Sequence, residues 1–198
     1  MLFNAQPIEK IWDNGWVKYY PQFLKNEAAT DFQAYLKEKI PWREEQIKLF
    51  GKMVMQPRLT ALMGDEGMEY GYSGITMQPM PWSKEMLAVK EKIEAICEGN
   101  FNVCLLNFYR HGQDSMGWHA DDERELGHNP LIASLSLGDI RKFMLRKKAD
   151  KKEKMTFLLE HGSLLLMGGD LQHQWQHQVP KTKHAQARIN LTFRRVLR

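Results

Sequence analysis

The stretch Arg188-Ile189-Asn190-Leu191-Thr192-Phe193-Arg194 alternates polar and apolar residues without a break. In a strand, residues two apart share a face. Ile189, Leu191 and Phe193 then form an apolar face suited to packing, and Arg188, Asn190, Thr192 and Arg194 a polar one. If that polar face points inward, two arginines need anionic partners, because an unpaired buried charge is costly. If it points outward, the segment is an ordinary solvated edge strand. Working outward, Leu131–Leu137 alternates in the same way, with Leu131, Ala133, Leu135 and Leu137 against Ile132, Ser134 and Ser136. Val103–Tyr109, Arg141–Arg146, Met155–Leu159 and Ser163–Met167 are further short apolar or alternating runs. Several short strands separated by turns predict a β-sandwich or barrel.

Helical signals lie upstream. Asn26 is placed to cap a helix running to about Ile40, with Phe32 and Leu36 on one face and Pro41 as the stop. Ser83 is placed to cap a second, whose period is carried by Met86, Val89, Ile93 and Ile96 and which Gly99 ends. Between them, Arg43–Met55 reads as two short strands around Gly51, Gly64–Gly67 as a loop, and Met68–Tyr72 as a strand broken by Ser73-Gly74. Two helices followed by many strands predict an α+β fold, mainly β, with the helices packed on one sheet.

The chain has 198 residues, 43% of them hydrophobic and 26% charged, in keeping with a single soluble globular domain. No apolar run approaches the roughly 20 residues that span a bilayer, and the first ten residues lack the pattern of a signal peptide. No membrane role is expected. Two cysteines, Cys97 and Cys104, are too few for a disulfide scaffold or a four-cysteine zinc site, and they fit a reducing, intracellular setting. The net charge of +4 is uneven: residues 141–198 carry a net +10 and residues 1–140 a net −6. Lys147, Lys148, Lys151, Lys152 and Lys154 cluster between two strands, where a hairpin tip is expected. Such a surplus suits a polyanion such as nucleic acid, and equally a solvated face.

His119 and Asp121, in Gly117-Trp-His-Ala-Asp121, can converge from one strand face. Two histidines and one carboxylate on one face of an iron ion leave three positions open; zinc accepts the same donors. His161, His173, His177 and His184 are the candidates for the remaining ligand. Asn107 and Tyr109 share another strand face, and Trp118 is expected in the core.

Four motifs in this order and spacing resemble the AlkB family of Fe(II)- and 2-oxoglutarate-dependent nucleic-acid repair dioxygenases. They are Asn107-x-Tyr109, then Gly117-x-His119-x-Asp121-Asp-Glu123, then His177, then Arg188-x-Asn190-x-Thr192-x-Arg194. The resemblance runs from about Leu49 to Val196. It is nearest the duplex-DNA branch, through Ile132–Gly138, His161-Gly-Ser-Leu-Leu165 and Asp121-Asp-Glu-Arg-Glu125.

The resemblance implies a double-stranded β-helix, a distorted jelly roll. One dioxygenase domain would span residues 1–198, with a nucleotide-recognition lid at about 42–80 and the β-helix core at about 100–196. It makes His119, Asp121 and His177 the metal ligands, His177 being chosen over His173 because it precedes Gln-Val-Pro180. Arg188 would take the distal carboxylate of 2-oxoglutarate with Tyr109 nearby, Asn107 and Arg194 would hold the keto-acid end, and Asn190 and Thr192 would line the pocket. Tyr72 would stack on a flipped base, Tyr70 and Glu123 would meet its polar edge, Arg58 would meet a phosphate or sugar, and Phe50 would fill the gap the base leaves.

The implied activity is oxidative demethylation of 1-methyladenine and 3-methylcytosine in DNA, duplex or single-stranded, releasing formaldehyde, succinate and CO2. Its cofactors are Fe(II), 2-oxoglutarate and O2. The enzyme would act as a monomer, in the cytoplasm of a prokaryote or the nucleus of a eukaryote. The rivals are an RNA demethylase of the same family, a 2-oxoglutarate hydroxylase acting on protein or lipid, and a non-catalytic binding module. Tyr70, Tyr72 and the basic C-terminal part weigh against the second, the intact metal and carboxylate residues against the third.

Overall fold

The computed structural model describes residues 7–12, 14–49, 52–72 and 75–197. A hairpin of β1 (Ile8–Trp12) and β2 (Gly15–Tyr20) leads into helix α1 (Asn26–Lys39). Five short strands follow: β3 (Gln46–Leu49), β4 (Lys52–Met55), β5 (Leu59–Gly64), β6 (Tyr70–Tyr72) and β7 (Ile75–Met77). After α2 (Lys84–Cys97) come β8 (Val103–Tyr109), β9 (Met116–His119), β10 (Ile132–Gly138), β11 (Arg141–Lys147), β12 (Lys154–Leu159) and β13 (Ser163–Gly169). A one-turn helix α3 (Leu171–Gln174), β14 (Trp175–Val179) and β15 (Arg188–Arg194) complete the described chain.

Two antiparallel sheets face each other. The larger runs β1-β2-β13-β10-β15-β8-β5, the smaller β12-β11-β14-β9. The pairs β3–β4 and β6–β7 stand apart as hairpins. This is the expected jelly roll with helices on one sheet. Ile189, Leu191 and Phe193 of β15 and Ala133, Leu135 and Leu137 of β10 pack against Phe32 and Leu36 of α1 and Met86, Val89 and Ile93 of α2. Each of the larger side chains among them contributes about 1.5–3 kcal/mol when fully buried. The opposite faces of the same strands therefore look into the sandwich, where Leu105, Tyr109, Phe143, Leu145 and Trp175 form a second core. Because β15 lies between β10 and β8, its polar stripe is interior, and the solvated-edge alternative falls.

Several local expectations need correction. Asn26 is the first residue of α1 rather than its cap; Lys25 takes the cap position without a side-chain bond. Ser83 does cap α2, its hydroxyl accepting the Met86 N–H, but Glu98 rather than Gly99 takes the left-handed turn at the end, at φ 51°. Trp118 is not core. His119 points into the sandwich, so its neighbour points out, and Trp118 lies half-buried under Arg146, whose guanidinium carbon is 4.1 Å from the ring centre. The lysine cluster does flank the β11–β12 turn, with Lys148 paired to Asp122 at 2.8 Å.

β2 and β5 both belong to the larger sheet, so the sandwich draws strands from well before residue 100, including one from within the 42–80 span. Gly138, opposite Arg188 in the β10–β15 register, shows why the entry to β15 is so specific. It has φ +98°, and a Cβ there would lie 2.3 Å from the Ala187 carbonyl oxygen.

Candidate metal and cosubstrate site

β9 and β14 are neighbours, and their register sets His119 directly across from His177, with ring centres 4.1 Å apart. Asp121 lies two residues past the end of β9, in the loop that follows, not on the strand itself. Its backbone N–H donates to Gln172 Oε1 at 3.0 Å, which holds the loop against α3. One ligand atom from each of His119, Asp121 and His177 lies within 4.8 Å of the others. The other candidate histidines are elsewhere. His161 Nδ1 accepts the Gly138 N–H at 2.7 Å, His173 stands beside His128, and His184 is exposed.

The chemistry of the cluster suits a divalent cation. His119 Nδ1 lies 2.8 Å from the Gly117 carbonyl oxygen and so carries the proton, leaving the Nε2 lone pair free. Burial, helped by His119, pushes His177 down to about 3, and burial lowers His119 too, so both imidazoles are neutral at physiological pH. Burial pushes the Asp121 carboxyl up, but the Arg194 guanidinium together with His177 and His119 outweighs it and holds the group down to about 2. Asp121 Oδ2 accepts from Arg194 Nη2 at 2.8 Å and Nε at 3.2 Å. Its Oδ1 is buried with no hydrogen-bond partner among the described residues, 3.9 Å from His119 Nε2. An orphaned carboxylate oxygen facing two neutral imidazoles fits a bound Fe(II).

The polar stripe of β15 adjoins this cluster. Arg188 is 1% exposed. Its Nη2 donates to Ser136 Oγ at 2.9 Å, while Nε and Nη1 are buried without a partner among the described residues. Burial lowers it only to about 10, so it stays charged. Tyr109 lies beside it, with the guanidinium carbon 5.2 Å from the ring centre. A charged planar fork with two open donors fits a carboxylate. Asn190 donates to Ser134 Oγ at 2.8 Å, and Thr192 Oγ1 donates to Asn190 Oδ1 at 3.0 Å. The metal cluster and the stripe line one pocket with an empty volume of about 480 Å³.

The expected base-side residues divide. Arg58 is buried in the pocket wall, and its Nε donates to Asn107 Oδ1 at 2.7 Å. Tyr70 is wholly buried against Arg194, 5.2 Å from the guanidinium carbon, and its hydroxyl has no partner among the described residues. Glu123 is partly buried. Burial, reinforced by Asp121, pushes its carboxyl up to about 7. Tyr72 pairs with Ile75 through the β6–β7 backbone. Phe50 lies outside the described residues. Ser134, Ser136 and Gln172 are site residues the sequence reading did not name. The two serines were visible as the polar phase of β10, whereas nothing in the sequence marked Gln172.

A jelly roll that gathers two histidines and a carboxylate beside a buried, unpaired arginine defines the class of metal- and 2-oxoacid-dependent oxygenases. The model of the 2OG-Fe(II) oxygenase superfamily matches residues 17–194. Alpha-ketoglutarate-dependent dioxygenase alkB homolog 3 of Mus musculus is 42% identical over 89% of this chain and 65% of its own length. DNA oxidative demethylase ALKBH2 of Homo sapiens is 36% identical over 90% of this chain and 72% of its own. The chain belongs to the AlkB family of 2OG-Fe(II) oxygenases. It spans slightly under two thirds of the length of the alkB homolog 3 relatives. The solved structure of OsALKBH1 shares the fold, with a TM-score of 0.64 at 18% identity over 94% of this chain and all of that one. Among the described residues, no helix is long and apolar enough to cross a membrane.

Proposed function

We propose that the protein is an oxidative demethylase that repairs 1-methyladenine and 3-methylcytosine in DNA, duplex or single-stranded, by direct reversal. The observation that carries this is the pairing of His119, Asp121 and His177 with the open Arg188 fork in one pocket. The kinship with relatives named DNA oxidative demethylase supports the substrate.

His119 Nε2, Asp121 Oδ1 and His177 would hold Fe(II), and Arg188 with Tyr109 would hold the distal carboxylate of 2-oxoglutarate. With O2, that set supplies an oxidation that turns an N-methyl group into N-hydroxymethyl and 2-oxoglutarate into succinate and CO2. The chain's own residues position and protect. Arg194, already fixed to Asp121 Oδ2, has a buried Nη1 with no partner among the described residues for the keto-acid end, and Asn107, steadied by Arg58, helps from the lining of the same pocket. Asn190 and Thr192 are satisfied by each other and by Ser134, so they shape the pocket rather than compete for the ligand.

Glu123 Oε2 is buried with no hydrogen-bond partner among the described residues and can meet the polar edge of a base. Its carboxylate form favours a base that methylation has made cationic. The hydroxymethyl group then departs as formaldehyde and the pairing edge is restored. Residues from about 42 to 80 act as the nucleotide-recognition lid, with Tyr70 bracing Arg194 from behind, Tyr72 stacking on the base and Phe50 filling the gap in a duplex. The lysines flanking the β11–β12 turn contact phosphate. The protein works as a monomer inside the cell, with the genome: in the cytoplasm of a prokaryote or the nucleus of a eukaryote.

The test is a repair assay on one sequence carrying 1-methyladenine as duplex DNA, single-stranded DNA and RNA. Repair of both DNA forms is expected. Repair of RNA alone, or of none of the three, would contradict the proposal.

A further inference from the structure

Arg141 opens β11 and is 2% exposed. The chemistry above gives it no part. Its Nη2 donates to the Asp114 carbonyl oxygen at 2.8 Å and the Pro180 carbonyl oxygen at 2.6 Å. Asp114 lies just before β9, which carries His119, and Pro180 just after β14, which carries His177. Arg141 Nη1 is buried with no hydrogen-bond partner among the described residues. No carboxylate among them pairs with Arg141: Asp114 turns its side chain to Arg110, at 2.8 Å. The Arg141 guanidinium carbon lies 5.5 Å from the centre of the Tyr109 ring, and that of Arg188 lies 5.2 Å from the same ring.

Two buried cations thus share one phenol ring, and neither has an ion pair among the described residues. Like charges this close repel, and burial withholds the water that would screen them. Loop stapling alone does not call for this arrangement, because two carbonyls can be bridged by a neutral donor. The arrangement suits a pocket whose ligand brings negative charge of its own to the Arg188 end. Arg141 itself does not line that pocket, whereas Tyr109 and Arg188 do. Any effect it has on a ligand therefore passes through the ring and through the field.

We propose that Arg141 is a positioning residue of the cosubstrate pocket, which seats Tyr109 beside Arg188 and adds a second buried positive charge that selects a dianionic 2-oxo acid over a singly charged one. The inference rests on the proposed 2-oxoglutarate site.

It is tested by binding, not turnover. Calorimetry with Mn(II) in place of iron gives the affinities of 2-oxoglutarate and of 2-oxoglutaramate, whose distal carboxylate is replaced by an amide. The wild-type protein should prefer the acid. Arg141→Gln keeps a donor for a carbonyl but removes the charge. It should cut that preference about tenfold, the scale of a unit charge acting at this range in a partly screened interior. Arg141→Lys should keep most of it. A merely structural role would weaken both ligands alike, and an unchanged ratio in Arg141→Gln overturns the inference. Should Arg141→Gln fail to fold, Arg141→Lys decides. Its preference should fall between pH 7 and about 9 as the buried lysine loses its proton, against a flat wild-type profile over that range, where Arg188 keeps its charge. A lysine variant that follows the wild type overturns the inference. Wild-type protein that binds neither ligand refutes the cosubstrate site itself, and the role of Arg141 with it.

Discussion

Asp121 divides its work between two oxygens. Oδ2 is committed to Arg194 and Oδ1 is open toward the histidines. Asp121→Asn should therefore abolish Mn(II) binding in calorimetry. It should also cost stability, by up to about 3–5 kcal/mol in chemical denaturation, because Arg194 would be left buried without its anion. Retained metal binding would remove Asp121 from the site. Arg188→Lys keeps the charge but loses the planar fork, and 2-oxoglutarate affinity should fall roughly ten- to a hundredfold, the worth of one charge-assisted hydrogen bond. An unchanged affinity would count against the pocket. At this scale the residue types were legible and their distances were not. One residue, Ala120, separates His119 from Asp121, but only the β9–β14 register puts His177 opposite His119, so spacing alone left four histidines open. Arg58 was legible as a cation only. Its place on the inner wall follows from β5 joining the larger sheet, which the sequence reading did not foresee.

Among the elements, those with clean alternation were the readable ones. The reading of Val103–Tyr109 matches β8 end for end, and the apolar faces of β10 and β15 pack as their periods require. β14 escaped because it is short and spends an inward position on His177, and β9 was read as a strand but ends at His119, short of Asp121. β2 went unread although Val17 and Tyr19 alternate with Trp16 and Lys18; it pairs with β1 in a hairpin on one side and with the distant β13 on the other. The α2 cap was legible and is testable. Ser83→Ala removes the acceptor for the Met86 N–H, and should cost about 1 kcal/mol, or about 2–4 °C in Tm, with metal affinity unchanged. No shift in Tm would mean the cap is redundant. The proposed lid is tested at its own scale by Phe50→Ala. Activity on duplex DNA should drop far more than on single-stranded DNA of the same sequence, by the few kcal/mol of unstacking a base step. Equal losses would leave Phe50 no role specific to duplexes.

The molecule as a whole keeps two histidines neutral, His177 buried and His119 partly so, and its stability should report this. An unfolded His177 takes up a proton near 6.5, the folded one only near 3. Between those values the unfolded chain binds more protons, so the metal-free protein loses stability as pH falls through that window. His119, lowered in the same direction, adds to the effect. Denaturation midpoints of metal-free protein at pH 7 and pH 5 should differ, and His177→Gln should shrink the difference. An equal dependence in wild type and variant would show that His177 is not held neutral. The central claim is that one pocket couples 2-oxoglutarate to removal of a methyl group from a base. The direct measurement is the amount of succinate and formaldehyde released from a duplex oligonucleotide bearing one 1-methyladenine, with Fe(II) present. Equal amounts of the two are expected, with none of either from Asp121→Asn. Formaldehyde appearing without 2-oxoglutarate, or 2-oxoglutarate bound but no formaldehyde formed, would contradict the account.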